Sequence, residues 1–494
     1  MKYDVVIVGA GPNGLSAGIV LAGAGLSTLV VEAKDAPGGG VRSQVLTKPG
    51  FLSDVCSTVH PLGIASPFFR ALRLERYGVS WIEAPASLVH LLSDDIAVSL
   101  ERSIADTAAQ FGSDAQAYTD LVSPFVARFD ELCATILGPL RWPESPTLLA
   151  RFGLAALQPL SSLCAARFQR GEAPALLAGI AAHAMLPLDA LATTSFGLVL
   201  GCAGHAVGWP IARGGSQSIT DALVLALHER GGGIALNRPV RRMADLPSAR
   251  AYVFDVTPKQ LLSIAGDFLP AHYRRRLQRF RYGPGVFKMD WALNGPIPWR
   301  NPACLRAPTV HLSGPLSEVS AAEACVHRNA VADPPFMLLV QPSLFDPSRA
   351  PAGQHTAWAY CHVPNGWDED LSDVMERHIE RFAPGFRELI VARSVRRPRD
   401  VERYNENYVG GDINGGLADI GQLLTRPLVQ RDPYRTAAPD IFLCSSSTPP
   451  GGGVHGMCGY WAARSVLKHR FDQRPSSGGI ELIPVQADEP LRIA

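Results

Sequence analysis

Residues Gly9-Ala10-Gly11-Pro12-Asn13-Gly14 form the pattern G-x-G-x-x-G, the spacing of a phosphate cradle. In such a turn the first glycine permits the tight bend and the second lets the backbone approach a pyrophosphate. The third allows helix and strand to pack closely, and the helix N-terminus meets the phosphates with its free N–H groups. Before the turn lies Tyr3-Asp4-Val5-Val6-Ile7-Val8, a β-branched apolar run suited to a buried parallel strand. After it, Leu15 to Gly25 sets small and apolar residues at helical spacing, and Leu29-Val30-Val31-Glu32 reads as a second strand. Glu32, followed by Ala33, stands 23 residues after Gly9, where a carboxylate accepts hydrogen bonds from a ribose. Strand, turn, helix, strand and acid together predict a βαβ dinucleotide-binding unit; a merely glycine-rich turn is the plain alternative.

The motif alone leaves NAD and FAD open. Gly38-Gly39-Gly40, followed by Val41 and Arg42, is a second glycine loop close to Glu32. An extended FAD needs such a loop, because its pyrophosphate and ribityl chain run on past the nucleotide half; an ordinary flexible loop is the other reading. Gly451-Gly452-Gly453-Val454-His455-Gly456 repeats the glycine spacing between a strand, Ile441 to Cys444, and a helix, Met457 to Lys468. No further strand and acid follow it, so it is not a second nucleotide domain, and NADPH has no visible site of its own. That helix N-terminus is suited instead to aim N–H groups at the pyrimidine edge of a reduced flavin.

The rest of the chain must position these loops. At 494 residues it exceeds what one hydrophobic core organises. A composition of 47% hydrophobic and 18% charged residues excludes disorder. With 46 basic and 45 acidic residues, no excess charge exists to hold a nucleic-acid backbone. Nine cysteines are scattered without a C-x-x-C, so neither a metal nor a dithiol site is expected. The first strand starts two residues from Met1 and no run reaches transmembrane length, so neither a signal peptide nor a membrane span is expected. The odd number of cysteines then reads as reduced thiols in a cytoplasm. Residues 100–190 read as mostly helical, and Ile219 to Arg230 as a further helix. Strands are expected around Ile234 to Leu236, Tyr252 to Val256, Phe287 to Leu293, Pro335 to Val340 and Thr356 to Val363.

Several segments, taken with the glycine loops, resemble a known family. They are Pro49-Gly50-Phe51 with Asp54, His60-Pro61, Gly208-Trp209-Pro210 running into Gly214-Gly215-Ser216, and Asp255-Val256-Thr257-Pro258. Gln341-Pro342-Ser343, Gly410-Gly411-Asp412-Ile413 and Ser445-Ser446-Ser447-Thr448-Pro449-Pro450 complete the set. The ensemble resembles the phytoene desaturase-like FAD oxidoreductases of the amine-oxidase-like group, nearest to the branch named after pyridine nucleotide-disulfide oxidoreductase domain-containing protein 2. The resemblance implies an α/β and α+β fold. A Rossmann-type FAD-binding domain of residues 1–75, 205–285 and 400–470 would be interleaved with a substrate domain of mixed β-sheet plus helices, residues 76–204 and 286–399. Residues 471–494 would form a loosely attached tail. Two departures stand out: Gly40-Val41 separate Arg42 from the paired glycines, and no closely spaced cysteine pair answers to the word disulfide.

For the cofactor, the resemblance implies contacts from Gly9, Gly11, Pro12, Asn13, Gly14, Glu32, Ala33, Gly39, Gly40, Val41 and Arg42. It adds the Val240 backbone at the adenine, and Ser446, Gly453, Val454, Gly456 and Met457 near the ring. For catalysis it implies hydride transfer through flavin N5. Lys288 is similar in placement to the lysine that holds a water near N5 in amine oxidases; a snorkelling strand-edge lysine is the alternative. His60 and His455 fall in segments close to the flavin, as acid–base groups or as packing residues. Asp255 is expected to cap or turn, and Tyr404, Tyr408, Tyr460 and Trp461 to form either an aromatic wall or core. The helices of 146–168 and 175–203 would cover an apolar tunnel, touch a lipid surface or simply pack.

The resulting expectation is an FAD-dependent oxidoreductase with an apolar, isoprenoid-like substrate and oxygen or a quinone as acceptor. It would be cytoplasmic with peripheral membrane contact, and a monomer or homodimer. Amine oxidation, and a flavin-fold protein acting through protein partners, are the alternatives.

Overall fold

The computed structural model describes residues 3–473. Val5, Val6 and Ile7 are fully buried because Tyr3–Val8 is the middle strand of a five-stranded parallel sheet. The strand order is Ile441–Leu443, Ala249–Phe254, Tyr3–Val8, Thr28–Val31, Gly233–Ala235. Successive strands leave the centre in both directions, which opens a crevice at their carboxyl ends. Pro12–Gly23 is the helix after the glycine turn, starting earlier than the apolar spacing suggests because Pro12 needs no N–H partner in the first turn. It packs on the last helix, Met457–Arg470. A Cβ at Gly459 would strike the Asn13 carbonyl, so glycine there permits the close approach.

The second sheet has seven strands, in the order Ile390–Arg396, Gly285–Leu293, His355–Val363, Met337–Val340, Thr309–Leu312, Ala86–Leu91, Ala97–Glu101. All pairings are antiparallel except Thr309–Leu312 with Ala86–Leu91. Strand alternation divides its residues by face. Phe287, Met289, Trp291 and Leu293 join Val310, Leu312, Leu339 and Ala359 in a core closed by the helix Ser372–Phe382. The alternate set, Lys288, Asp290, His311, Leu338, Val340, Trp358 and Tyr360, faces the parallel-sheet half.

Buried ion pairs and hydrogen bonds join the two halves there. Arg349 is fully buried between Asp54, at 3.2 Å, and Asp346, at 3.0 Å. Burial alone would raise the Asp54 carboxyl, but Arg349, the Ser43 hydroxyl and the Ser216 amide outweigh it and hold it below the usual carboxylate value. Trp358 Nε1 donates to Thr58 Oγ1 at 2.9 Å. The helices Pro146–Ala156, Leu160–Arg167, Glu172–Ala181 and Thr193–Ala206 cover the remaining side.

Four strands of the seven-stranded sheet escape the sequence reading: Ala86–Leu91, Ala97–Glu101, Thr309–Leu312 and Ile390–Arg396. Thr309–Leu312 is four residues long with a histidine inside, and Ile390–Arg396 is a partly exposed edge strand rich in arginine. All nine cysteines are free. Among the described residues no single helix is long and apolar enough to cross a membrane. Of the expected tail, Phe471 lies under Arg250 at 4.4 Å, and residues 474–494 lie outside the described residues.

Candidate active site

The crevice holds a cleft of about 420 Å³ lined by Gly9, Gly11, Pro12, Asn13, Glu32, Ala33, Gly39, Gly40, Arg42, Val240, Asp255 and Ser446. Gly9 bends at φ +101°, and a Cβ on Gly14 would overlap the Gly9 carbonyl, so the turn demands both glycines. Glu32 is anchored by accepting from the Ala10 amide at 2.8 Å and the Lys34 amide at 3.0 Å. Arg42 is turned onto the protein: it donates to the Ala36 and Pro37 carbonyls, pairs with Glu32 at 3.5 Å and covers the Tyr404 ring. Tyr404 in turn donates to the Gly39 carbonyl at 2.7 Å. Tyr404 therefore braces the second glycine loop, and the Tyr408 hydroxyl lies beside Gly40.

Asp255 caps the helix from across the sheet, its Oδ2 accepting from the Gly14 amide at 2.9 Å. Burial pushes its carboxyl up to about 7, against the Gly14 hydrogen bond and with the Glu32 charge adding to the rise.

Pro12, Asn13, Gly40, Tyr408, Ile413 and Ser446 line both this cleft and a second cavity of about 700 Å³, so the two are continuous. Val41, His60, Gly453, Val454 and His455 line the second cavity alone. His60 donates from Nε2 to Ser216 Oγ at 2.9 Å, since the Ser216 hydroxyl is itself given to the Ser57 carbonyl. The His455 Nδ1 accepts from the Met457 amide at 3.0 Å, which leaves the proton on Nε2. Burial pushes both imidazoles down to about 4, so both are neutral hydrogen-bonding groups near pH 7.

Gly14, Gly456, Met457 and Lys288 stand behind the lining. Gly456 starts the last helix at φ +66°. Lys288 is buried, with Nζ 2.5 Å from Asp290 Oδ1 and 4.8 Å from the centre of the Trp358 ring, and Trp358 lines the cavity. Burial lowers the Lys288 ammonium and raises the Asp290 carboxyl from their ordinary values, and their mutual contact opposes both shifts. Among the described residues no cluster of His, Cys, Asp or Glu could hold a metal.

The cavity walls include residues that sequence reasoning did not single out: His183, Thr309, Leu338, Val340, Trp358 and Tyr360. Trp358 and Tyr360 stack at 19° with centroids 5.8 Å apart. Trp461 instead donates to the Leu137 carbonyl, and Tyr460 packs on Phe68. The helices Pro146–Ala156 and Thr193–Ala206 supply apolar wall through Leu149, Phe152, Phe196, Val199 and Leu200.

Comparison with known proteins agrees with this geometry. The model of the Thi4 family matches residues 1–45, the βαβ unit with its second glycine loop. Over 94% of both chains the protein is 25% identical to pyridine nucleotide-disulfide oxidoreductase domain-containing protein 2 of Rattus norvegicus. It is 25% identical to phytoene desaturase (lycopene-forming) of Pseudescherichia vulneris, covering 92% of this chain and 97% of that one. Putrescine oxidase, in a structure bound to putrescine, shares the fold with a TM-score of 0.60 at 17% identity, covering 95% of this chain and 99% of that one. Over most of its length in sequence, and in fold, the chain is similar to oxidoreductases of the phytoene desaturase-like, amine-oxidase-like flavoprotein group. Its likeness to the rat and bacterial relatives is full-length, whereas the family model covers the nucleotide-binding end alone.

Proposed function

We propose that the chain binds FAD along the continuous cleft and oxidises or reduces an apolar, isoprenoid-like substrate in the larger cavity. Bound FAD supplies hydride acceptance or donation at N5. The turn Gly9–Gly14 and the Gly39–Gly40 loop would hold the diphosphate, Glu32 the ribose and the Val240 backbone the adenine. An unpartnered buried Asn13 Oδ1 at the junction, and glycines packed too tightly for a Cβ, support an extended ligand there. His455 Nε2–H and His60 would position polar atoms at the ring, and Lys288 would hold a water behind Trp358.

One observation carries the choice of substrate. Among the described residues the 700 Å³ cavity is lined by no carboxylate, and its two charged side chains are Arg141 and Arg426. A cationic amine would find no counter-ion there, which favours a neutral apolar substrate over amine oxidation. Where the substrate is oxidised, oxygen or a quinone would take the electrons from the reduced flavin. The cavity mouth also supports peripheral membrane contact: Leu140, Leu157 and Leu424 line it while exposed at 75%, 46% and 40%.

The test is a visible spectrum of the protein after addition of FAD and gel filtration, then anaerobic reduction and return to air. Flavin bands that bleach and recover are expected. Fast recovery assigns oxygen as acceptor and slow recovery a quinone. No retained flavin overturns the proposal and leaves a fold acting through protein partners.

A further inference from the structure

Three histidines run in a row from the cavity wall into the core. His183, half-buried, lines the cavity and meets the Trp209 ring edge-on at 5.7 Å. Its Nε2 is 3.4 Å from His311 Nε2, on the sheet below. His90, on the neighbouring strand, sits edge-on to His311 at 5.9 Å.

The tautomers follow from the partners. His90 Nε2 meets the Gly314 carbonyl at 2.7 Å, so it carries the proton, and His90 Nδ1 is a bare lone pair. His90 Nδ1 and His311 Nδ1 converge on Gly179: a Cβ there would overlap the first and lie 2.5 Å from the second. Both Nδ1 atoms are buried without a hydrogen-bond partner. A proton on His311 Nδ1 would thus be a buried N–H with no acceptor among the described residues, which is unfavourable. His311 avoids this by carrying its proton on Nε2 and donating it to His183 Nε2. Burial pushes His183 down to about 3, so it is neutral and has one proton to place. With Nε2 accepting, that proton sits on Nδ1, which has no partner among the described residues.

We infer that His183 Nδ1–H is a fixed hydrogen-bond donor for the substrate, and that the substrate is therefore an apolar molecule carrying an acceptor oxygen, a ketone, aldehyde or hydroxyl, at the His183 end. The inference rests on the apolar-cavity reading above. It excludes a pure hydrocarbon as the preferred ligand, because an unmet donor in a dry cavity penalises binding. His311, His90 and Gly179 are positioning residues, acting through the tautomer of His183.

The test uses the full chain with FAD added and two probes of one carbon skeleton: geranylacetone, an isoprenoid ketone, and the hydrocarbon that lacks its oxygen. Binding is read by tryptophan fluorescence, since Trp209 and Trp358 line the cavity. His183→Phe is expected to weaken the ketone about tenfold relative to the hydrocarbon, the ratio carried by one net hydrogen bond. His183→Gln, which keeps a donor, is expected to retain most of the preference, and guards against misfolding of the phenylalanine variant. Equal weakening or no change for both probes overturns the role of His183 and leaves the apolar cavity standing. Failure of both probes to bind the unaltered protein overturns the apolar-substrate reading itself.

Discussion

Asp255 accepts the Gly14 amide hydrogen across 241 positions of sequence, so a carboxylate closes the helix N-terminus that the glycine turn prepares for phosphate. Its raised value, about 7 against 3.8, means that the folded chain keeps a proton which the unfolded chain has lost. The associated stability is therefore present below pH 4 and is lost as pH rises through 7. An anionic diphosphate beside it favours the protonated form further. FAD affinity of the unaltered protein should fall by up to about tenfold from pH 6 to pH 8. Asp255→Asn should bind more tightly at pH 8 with a flat profile. Quenching of FAD fluorescence gives both curves, and parallel slopes in the two proteins would remove Asp255 from the cofactor site.

Lys288 and Asp290 form a buried pair in which Asp290 Oδ2 already lacks a partner. Lys288→Met should destabilise the protein by about 3–5 kcal/mol, because it leaves an uncompensated buried carboxylate. Lys288→Met with Asp290→Leu should recover most of that loss. Urea midpoints at constant slope measure both. A stable, flavin-loaded double variant with lost turnover would put Lys288 in the chemistry; unchanged turnover would make the pair purely structural.

The parallel sheet was legible because its inner strands are mostly buried and its loops are marked by glycine, as at Gly9 and Gly14. The second sheet was half legible. Gly285–Leu293 shows as an apolar run, yet the face bearing Lys288, Trp358 and Tyr360 makes the cavity, and that division appears only once strand pairing fixes the register. His183 left no signal at all: it lies in a one-turn 3₁₀ segment, and its meaning depends on His311, which is 128 residues away. Arg42 was legible as a residue near Glu32 but not in its orientation, which backbone carbonyls of Ala36 and Pro37 decide.

Trp142 and Leu154 are exposed at 87% and 78%, and Leu191 at 53%; the Ala192 amide donates to the Leu157 carbonyl, which joins Leu191 to the cavity rim. If this face meets lipid, each large side chain contributes about 1.5–3 kcal/mol on burial. Trp142→Ser and Leu154→Ser should each weaken co-sedimentation with phosphatidylcholine–phosphatidylglycerol vesicles by about tenfold or more, without lowering the thermal midpoint. Vesicle binding that is absent in the unaltered protein, or indifferent to both changes, rejects this face as the contact.

Gly40 lies where the two cavities join, and a Cβ there would overlap the Tyr408 hydroxyl while meeting the ring carbon beneath it at 3.4 Å. The clash is therefore with the hydroxyl and not with the ring. Gly40→Ala should push Tyr408 into the junction and lower FAD affinity by at least about tenfold. Tyr408→Phe alone should have a small effect, and the double variant should bind nearly as well as the unaltered chain, since the remaining 3.4 Å contact is ordinary packing. Such non-additivity, on the order of 1 kcal/mol, is the mark of two residues sharing one space. If the double variant binds as poorly as Gly40→Ala, the added methyl obstructs the path of the cofactor itself. Flavin content after gel filtration, measured on all four proteins, separates these outcomes.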